Sequence, residues 1–365
     1  MTNLKHSKNE EHNYMTALPA TRPDRSAAMD EFLARIGWQG ATRRMLAGDA
    51  SFRRYERVHW GDQLAVLMDA PPPWEDVRPF MAVTQLLAGC DVTVPTIIAA
   101  DEAQGFLLLE DLGDISFTRL LRAEPQREAE LYLAAMDALI QLRHISDVSA
   151  ATLVPALPPY NKAVYLREAA LFAEWFLPQI HGLEKARTLR SEYLAIWEAI
   201  LADTQVHQHC LVHRDYHADN LFWLADREGH HAVGMIDYQD ALWGDAAYDV
   251  ASLLEDARRD VSAATVAQCL THYITATSED AANFGQRYAV IAAQRNAKII
   301  GIFARLCVRD GKAHYLDYLT RVWGHMMRDL SHPSLAPLHA FIEAHVPRAW
   351  RGAFTPDMSL GGVTS

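Results

Sequence analysis

The residues best equipped for chemistry lie in one stretch, Leu211–Asp249. Its first part, His213-Arg214-Asp215-Tyr216-His217-Ala218-Asp219-Asn220, has the form H-x-D-x-x-x-x-N and follows a short apolar run. Its second part is Ile236-Asp237, which closes another short apolar run. Two carboxylates and an amide, held at strand ends, suit phosphoryl transfer, a reaction that needs positioning and charge neutralisation more than covalent help. Asp215 would orient an acceptor hydroxyl and take its proton. Asn220 and Asp237 would hold Mg²⁺, which takes hard oxygen ligands and keeps several waters, so that few protein donors suffice. The donor in such a reaction is ATP.

Those side chains need strands to position them. Cys210–Val212, Leu221–Leu224 and Val233–Ile236 read as three short strands, the last two a hairpin around the polar turn Asp226–His231. Upstream, Met29–Ile36 reads as a short amphipathic helix. Met45–His59 reads as strand, polar turn and strand, broken at Gly48-Asp49. Leu64–Met68, Val94–Ala99 and Gly105–Leu109 read as strands, and Val77–Leu87 has helical apolar spacing. Beyond Glu110-Asp111-Leu112-Gly113 the pattern turns mostly helical, with Glu128–Ile145, Leu166–Leu177 and Leu189–Leu201 as clear examples. The expected fold class is α+β and bilobal. Residues 1–28 form a mobile polar leader, 29–110 a β-rich N-lobe that covers the nucleotide, 111–350 a helical C-lobe with the catalytic and acceptor site, and 351–365 a tail.

The Leu211–Asp249 segment resembles the catalytic core of the aminoglycoside-phosphotransferase and choline-kinase branch of the protein-kinase-like superfamily. The resemblance implies a protein-kinase-like fold, Asp215 as catalytic base and Asn220 and Asp237 as Mg²⁺ ligands. It also implies that Glu110–Gly113, with Glu110 and Leu112, is the hinge against the adenine. Asp249 then resembles the structural Asp that braces the catalytic loop, and His213 anchors that loop. Gly48–Val58, Leu67–Pro72, Ile236–Gly244 and Gln294–Lys312 together resemble a narrower group, bacterial kinases that phosphorylate N-acetylmuramate and N-acetylglucosamine at C1 in cell-wall sugar recycling. Two other readings stay open: a kinase of aminoglycosides or other small-molecule hydroxyls, and a non-catalytic nucleotide-binding regulatory module.

One departure matters. Kinases of this superfamily keep a Lys on the third N-lobe strand, paired with a Glu on the following helix. Here that strand is Leu64-Ala65-Val66-Leu67-Met68-Asp69, no Lys occurs between Lys8 and Lys162, and Val77–Leu87 has no Glu. The arginines of the first hairpin are expected to neutralise the phosphates instead: Arg53, Arg54 and Arg57, with Arg43 and Arg44 nearby and Ser51 in the turn. Strand alternation puts Arg53 and Arg57 on one face and Arg54 on the other.

On the acceptor side, His217 and Asp219 flank the base, and Asp240 follows Asp237 closely enough to reach a substrate hydroxyl. Gln294, Arg295 and Lys298 share one helix, and Arg295 with Lys298 could meet a substrate carboxylate. Tyr160, Trp175 and Trp243 are candidate stacking platforms for a sugar. Zinc at His207, His209, His213 and His217 is a weaker reading, because no Cys lies at ligand spacing.

Composition agrees with a small-molecule enzyme. The chain has 365 residues, half of them hydrophobic, and a net charge of −12. That balance argues against a nucleic-acid partner and against an anionic membrane surface. No apolar run approaches a membrane span, and residues 1–28 are not a signal peptide. Four scattered cysteines without a CxxC pair read as reduced thiols in a cytoplasmic protein. A monomer that binds a nucleotide and a sugar is expected.

Overall fold

The computed structural model describes residues 24–48, 52–145, 152–153, 156–204, 206, 210–360 and 362. Ser51, His207, His209 and residues 1–23 lie outside the described residues.

The N-lobe is a five-stranded antiparallel sheet in the order β1-β2-β3-β5-β4. Its strands are β1 (Thr42–Gly48), β2 (Arg54–Trp60), β3 (Gln63–Asp69), β4 (Ile97–Asp101) and β5 (Phe106–Glu110). Both faces are covered, which is why β5 reads as a continuous apolar run. Ala65, Leu67, Phe106 and Leu108 pack against Met29, Phe32 and Leu33 of α1 (Ser26–Arg35). Met68, Leu107 and Leu109 belong to the main core with Phe80, Val83 and Leu87 of α2 (Arg78–Ala88).

Near both ends of the described residues the chain packs on the lobes. Helix α1 begins at Ser26, inside the stretch read as leader. Arg25 ties it down, pairing with Asp69 at 2.6 Å and lying 4.2 Å from the Phe106 ring centroid. At the other end, the stretch read as a tail packs on the C-lobe. Phe354 meets the Phe176 ring edge-on at 5.5 Å, and Arg351 pairs with Glu343. Neither contact is visible as periodicity, because each rests on one aromatic or one arginine in a polar segment.

The C-lobe forms around a 30-residue helix, Ala281–Asp310, capped by the Asp280 side chain and ended by Gly311 at φ +69°. That helix crosses the helix Lys162–Leu171 very closely. A Cβ at Gly301 would lie 2.3 Å from the Leu171 carbonyl carbon, so only glycine fits. Four short strands present the catalytic segment. β7 (Leu221–Trp223) pairs with β8 (Val233–Met235), as the hairpin reading expects. β6 (Cys210–Val212) pairs with β9 (Leu242–Gly244), a strand too short to read from its sequence. The four cysteines are free thiols. Among the described residues, no helix is long and apolar enough to cross a membrane.

Candidate active site

A cleft of about 530 Å³ lies between the lobes, lined on the N-lobe side by Tyr55, Arg57 and Val66 and on the C-lobe side by Asp219, Asn220 and Asp237. Glu110 and Leu112 line it at the hinge. Leu112 rests on the bare Cα of Gly234 in β8, where a Cβ would come within 2.8 Å of Leu112 Cδ1. The Glu110 carboxylate accepts from Thr96 Oγ1 at 2.9 Å and pairs with Arg227 at 2.8 Å, fastening the hinge to the β7–β8 turn.

Asp215 is exposed in the turn after β6. Two buried groups hold that turn. The Asp249 carboxylate accepts the backbone N–H of His213 at 2.6 Å and of Arg214 at 3.0 Å. Burial pushes the Asp249 carboxyl up to about 7, against the pull of those two N–H groups. His213 is fully buried between Tyr216 and Tyr238, edge-on to both, and burial lowers its pKa to about 4, so the ring is neutral. Asp249→Asn should therefore destabilise the protein. One of the two backbone donors would then face an NH₂ group, a loss of about 1–3 kcal/mol. Urea unfolding monitored by circular dichroism would measure it, and an unchanged midpoint would contradict this account of the turn.

Asn220 and Asp237 are brought together. The Asn220 amide donates to the Asp215 carbonyl at 3.0 Å and lies 3.5 Å from the Asp237 carboxylate. Asp237 has φ +66°, a left-handed conformation uncommon for Asp. Gln239 steadies its carboxylate through a 2.9 Å hydrogen bond. An amide and a carboxylate at one edge of a polar cleft form the hard-oxygen donor set that Mg²⁺ takes, so the residues present fit that ion.

The N-lobe arginines divide three ways. Arg53 pairs with Glu75 at 3.5 Å. Burial lowers its pKa, but Tyr55, Glu75, Asp237 and Asp240 outweigh that and raise it, so its cation feels the carboxylates across the cleft. Arg57 lines the cleft, beside Val66 on the neighbouring strand. It differs from the expectation of a phosphate ligand because its guanidinium is taken up by Asp111 at 2.6 Å and Asp114 at 2.8 Å, at the hinge end. Arg54 lies on the opposite face, as alternation requires, against Glu56 at 3.2 Å and Met29 Sδ at 3.5 Å. It is therefore placed away from the nucleotide side. Glu75 was not anticipated from the sequence. It precedes α2 in the Pro-Pro-Pro-Trp-Glu loop, and its other oxygen accepts the Phe52 N–H at 3.1 Å.

The expected acceptor residues are only partly assembled. Asp240 is exposed near Asp237, and Arg214 donates to its carbonyl at 3.4 Å. Asp219 lines the cleft, bonded to the Thr118 hydroxyl and paired with Arg258 at 3.5 Å. His217 is buried and its pKa is lowered, chiefly by burial. Gln294 and Arg295 depart from the expectation of substrate contact. Both are buried in the C-lobe core, Gln294 donating to the Tyr165 carbonyl at 2.9 Å and Arg295 to Ser252 Oγ at 3.0 Å and the Glu255 carbonyl at 3.2 Å. Lys298 is committed to Glu168 at 2.9 Å, which also takes Arg214 at 2.6 Å and the Tyr160 hydroxyl. Tyr160 is fully buried, so it offers no stacking face.

Residues 42–284 match the model of the phosphotransferase enzyme family. An N-acetylmuramate/N-acetylglucosamine kinase of Caulobacter vibrioides is 36% identical over 355 residues, spanning 89% of this chain and 97% of that protein. A kinase of the same name from Pseudomonas aeruginosa is 39% identical over 307 residues, spanning 80% of this chain and 85% of that one. Among solved structures, a GDP complex of an aminoglycoside 2'-phosphotransferase superposes with a TM-score of 0.60 at 15% identity, covering 86% of this chain and all of that one.

Proposed function

The chain belongs to the phosphotransferase enzyme family and is an ATP-dependent kinase, and we propose that its acceptor is the anomeric hydroxyl of N-acetylmuramate and N-acetylglucosamine. The observation that carries this reading is the exposed Asp215 beside the Asn220–Asp237 pair, in a chain aligned nearly end to end with kinases named for those two sugars. The Asp215 carboxylate accepts a hydrogen bond from the acceptor hydroxyl and aims its oxygen at the γ-phosphorus. As the new O–P bond forms and the bond to the β-phosphate oxygen breaks, Asp215 takes the hydroxyl proton. An anomeric hydroxyl is more acidic than other sugar hydroxyls, so a carboxylate is base enough. Asn220 and Asp237 would hold Mg²⁺, which supplies charge neutralisation on the phosphate oxygens. Arg53, kept in place by Glu75, adds a cation from the N-lobe. Asp249 and His213 act through the turn they hold, and Arg57 acts through the hinge.

The deciding experiment is ATP turnover with N-acetylmuramate, N-acetylglucosamine, the methyl glycoside of N-acetylglucosamine and an aminoglycoside, with products read by phosphorus NMR. The two free sugars should yield C1 phosphates. The methyl glycoside, whose anomeric oxygen is blocked, should be inert. A C6 phosphate, turnover of the glycoside, or turnover of the aminoglycoside alone would overturn the assignment. Nucleotide binding without any turnover would point to a regulatory module.

A further inference from the structure

Three potential metal ligands converge outside the cleft, where the connector from α2 to β4 crosses the β7–β8 hairpin. Asp91 lies in the turn after α2, with φ +60°. His230 and His231 lie in the one-turn helix Gly229–Ala232 between β7 and β8. Thr93 locks the two segments together. It bridges to Gly234, its carbonyl accepts the Met235 N–H at 2.9 Å, and its hydroxyl donates to the His231 carbonyl at 2.8 Å. The three side chains therefore meet on a braced frame.

Their spacing is informative. His230 Nε2 is 3.4 Å from Asp91 Oδ2, and His231 Nε2 is 3.6 Å from Asp91 Oδ1. The three ligand atoms lie within 4.8 Å of one another. These separations are long for hydrogen bonds. The two fall on different Asp91 oxygens, and the shorter matches the edge of a tetrahedron, about 3.3 Å, around an ion bonded to nitrogen and oxygen at about 2.0–2.1 Å. His230 Nε2 is buried and has no hydrogen-bond partner.

We propose that Asp91, His230 and His231 form a site for a zinc-class divalent transition metal, separate from the magnesium position at Asn220 and Asp237. Two imidazoles and a carboxylate suit such an ion, whereas Mg²⁺ prefers oxygen donors throughout. Asp91 is 72% exposed, so a fourth position is open to water. The ion would pin the end of α2 to the C-lobe hairpin. Helix α2 in turn carries Phe80, stacked 5.1 Å from the ring of Tyr238, and Thr84, whose hydroxyl is 2.9 Å from the Tyr238 hydroxyl. Since Tyr238 follows Asp237, the cation steadies the helix behind the catalytic edge and takes no part in the transfer.

The test titrates the metal-stripped full chain with Co²⁺ and Zn²⁺ in excess Mg²⁺, which fills the oxygen site. One Co²⁺ should bind with the visible absorption of a tetrahedral nitrogen-ligated ion, and Zn²⁺ should displace it. His230→Ala, His231→Ala and Asp91→Asn should each weaken Zn²⁺ binding about 10-fold or more. Zn²⁺ should raise the Tm of the wild-type chain and leave that of the double histidine variant unchanged. Asp91→Asn, on an exposed turn, keeps the test decisive should the double variant fold poorly in EDTA. Equal Zn²⁺ affinity in wild type and variants would overturn the proposal, as would the absence of tetrahedral Co²⁺ in the wild-type chain.

Discussion

Asp215→Asn lowers kcat by about 10²–10⁴-fold, the usual worth of a positioned general base. The substitution is nearly isosteric and falls on an exposed side chain, so it leaves the fold alone. The contacts that shape the turn use main-chain atoms, the His213 and Arg214 N–H groups on Asp249 and the Asp215 carbonyl under Asn220, and an Asn at 215 keeps them all. The amide can still orient the acceptor hydroxyl, but it cannot take the proton. The loss therefore falls on kcat, and the KM for ATP stays within about threefold of wild type, as expected when an interaction made only in the transition state is removed. Steady-state kinetics with a melting curve as a fold control would measure both. A kcat near wild type would remove Asp215 from the proposed mechanism, and a large rise in KM for ATP with an unchanged kcat would make it a nucleotide-binding residue.

The legibility of this site in the sequence follows from how local each part is. The H-x-D-x-x-x-x-N segment and Ile236-Asp237 are short, and their flanking strands β6, β7 and β8 are apolar runs of the right length, so their places could be read directly. The bilobal α+β architecture was legible for the same reason, from a run of strands followed by a run of helices. Three features were not. β9 contributes only Leu242–Gly244 to the sheet, and nothing in Leu-Trp-Gly distinguishes it from a loop until its partner β6 is known. Gln294 and Arg295 read as substrate contacts because polar residues gathered within five positions of one helix suggest a binding face. Their helix is instead buried on most sides, with Arg287, Gln294, Arg295 and Asn296 all inside. The available signal was a scatter of polar residues in an Ala- and Ile-rich helix, which marks internal hydrogen-bonding as readily as a surface. Glu75 escaped because the Lys–Glu pair of such folds sits on β3 and α2, whereas the Arg53–Glu75 ion pair lies one step outside both, on a turn residue and in a proline-rich loop.

That displaced pair carries the second large expectation. Arg53→Ala lowers kcat/KM for ATP by about 10²-fold, the scale of losing one preorganised charge at a developing phosphate. The reasoning starts from Val66, which lines the cleft on β3 and brings no cation. Of the three arginines on β2 and its approach, Arg57 is neutralised by two aspartates at the hinge and Arg54 lies behind the sheet. Arg53 is the one whose cation is favoured by Asp237 and Asp240. Glu75 holds it twice over, by the ion pair to the guanidinium and by accepting the Phe52 N–H that shapes the end of the turn. Glu75→Gln should cost about 10-fold in kcat/KM, and it should cost almost nothing further in an Arg53→Ala background, because a residue acting only through another is not additive with it. Arg53→Lys should recover part of the activity, since a point charge replaces the guanidinium. Arg54→Ala is the control and should leave the kinetics near wild type. Arg57→Ala should instead lower the Tm, because Asp111 and Asp114 lose the cation between them. Additive losses for Glu75 and Arg53 would mean that Glu75 contributes independently, and equal effects of Arg53→Ala and Arg54→Ala would return the arginines to the role of a solvated strand.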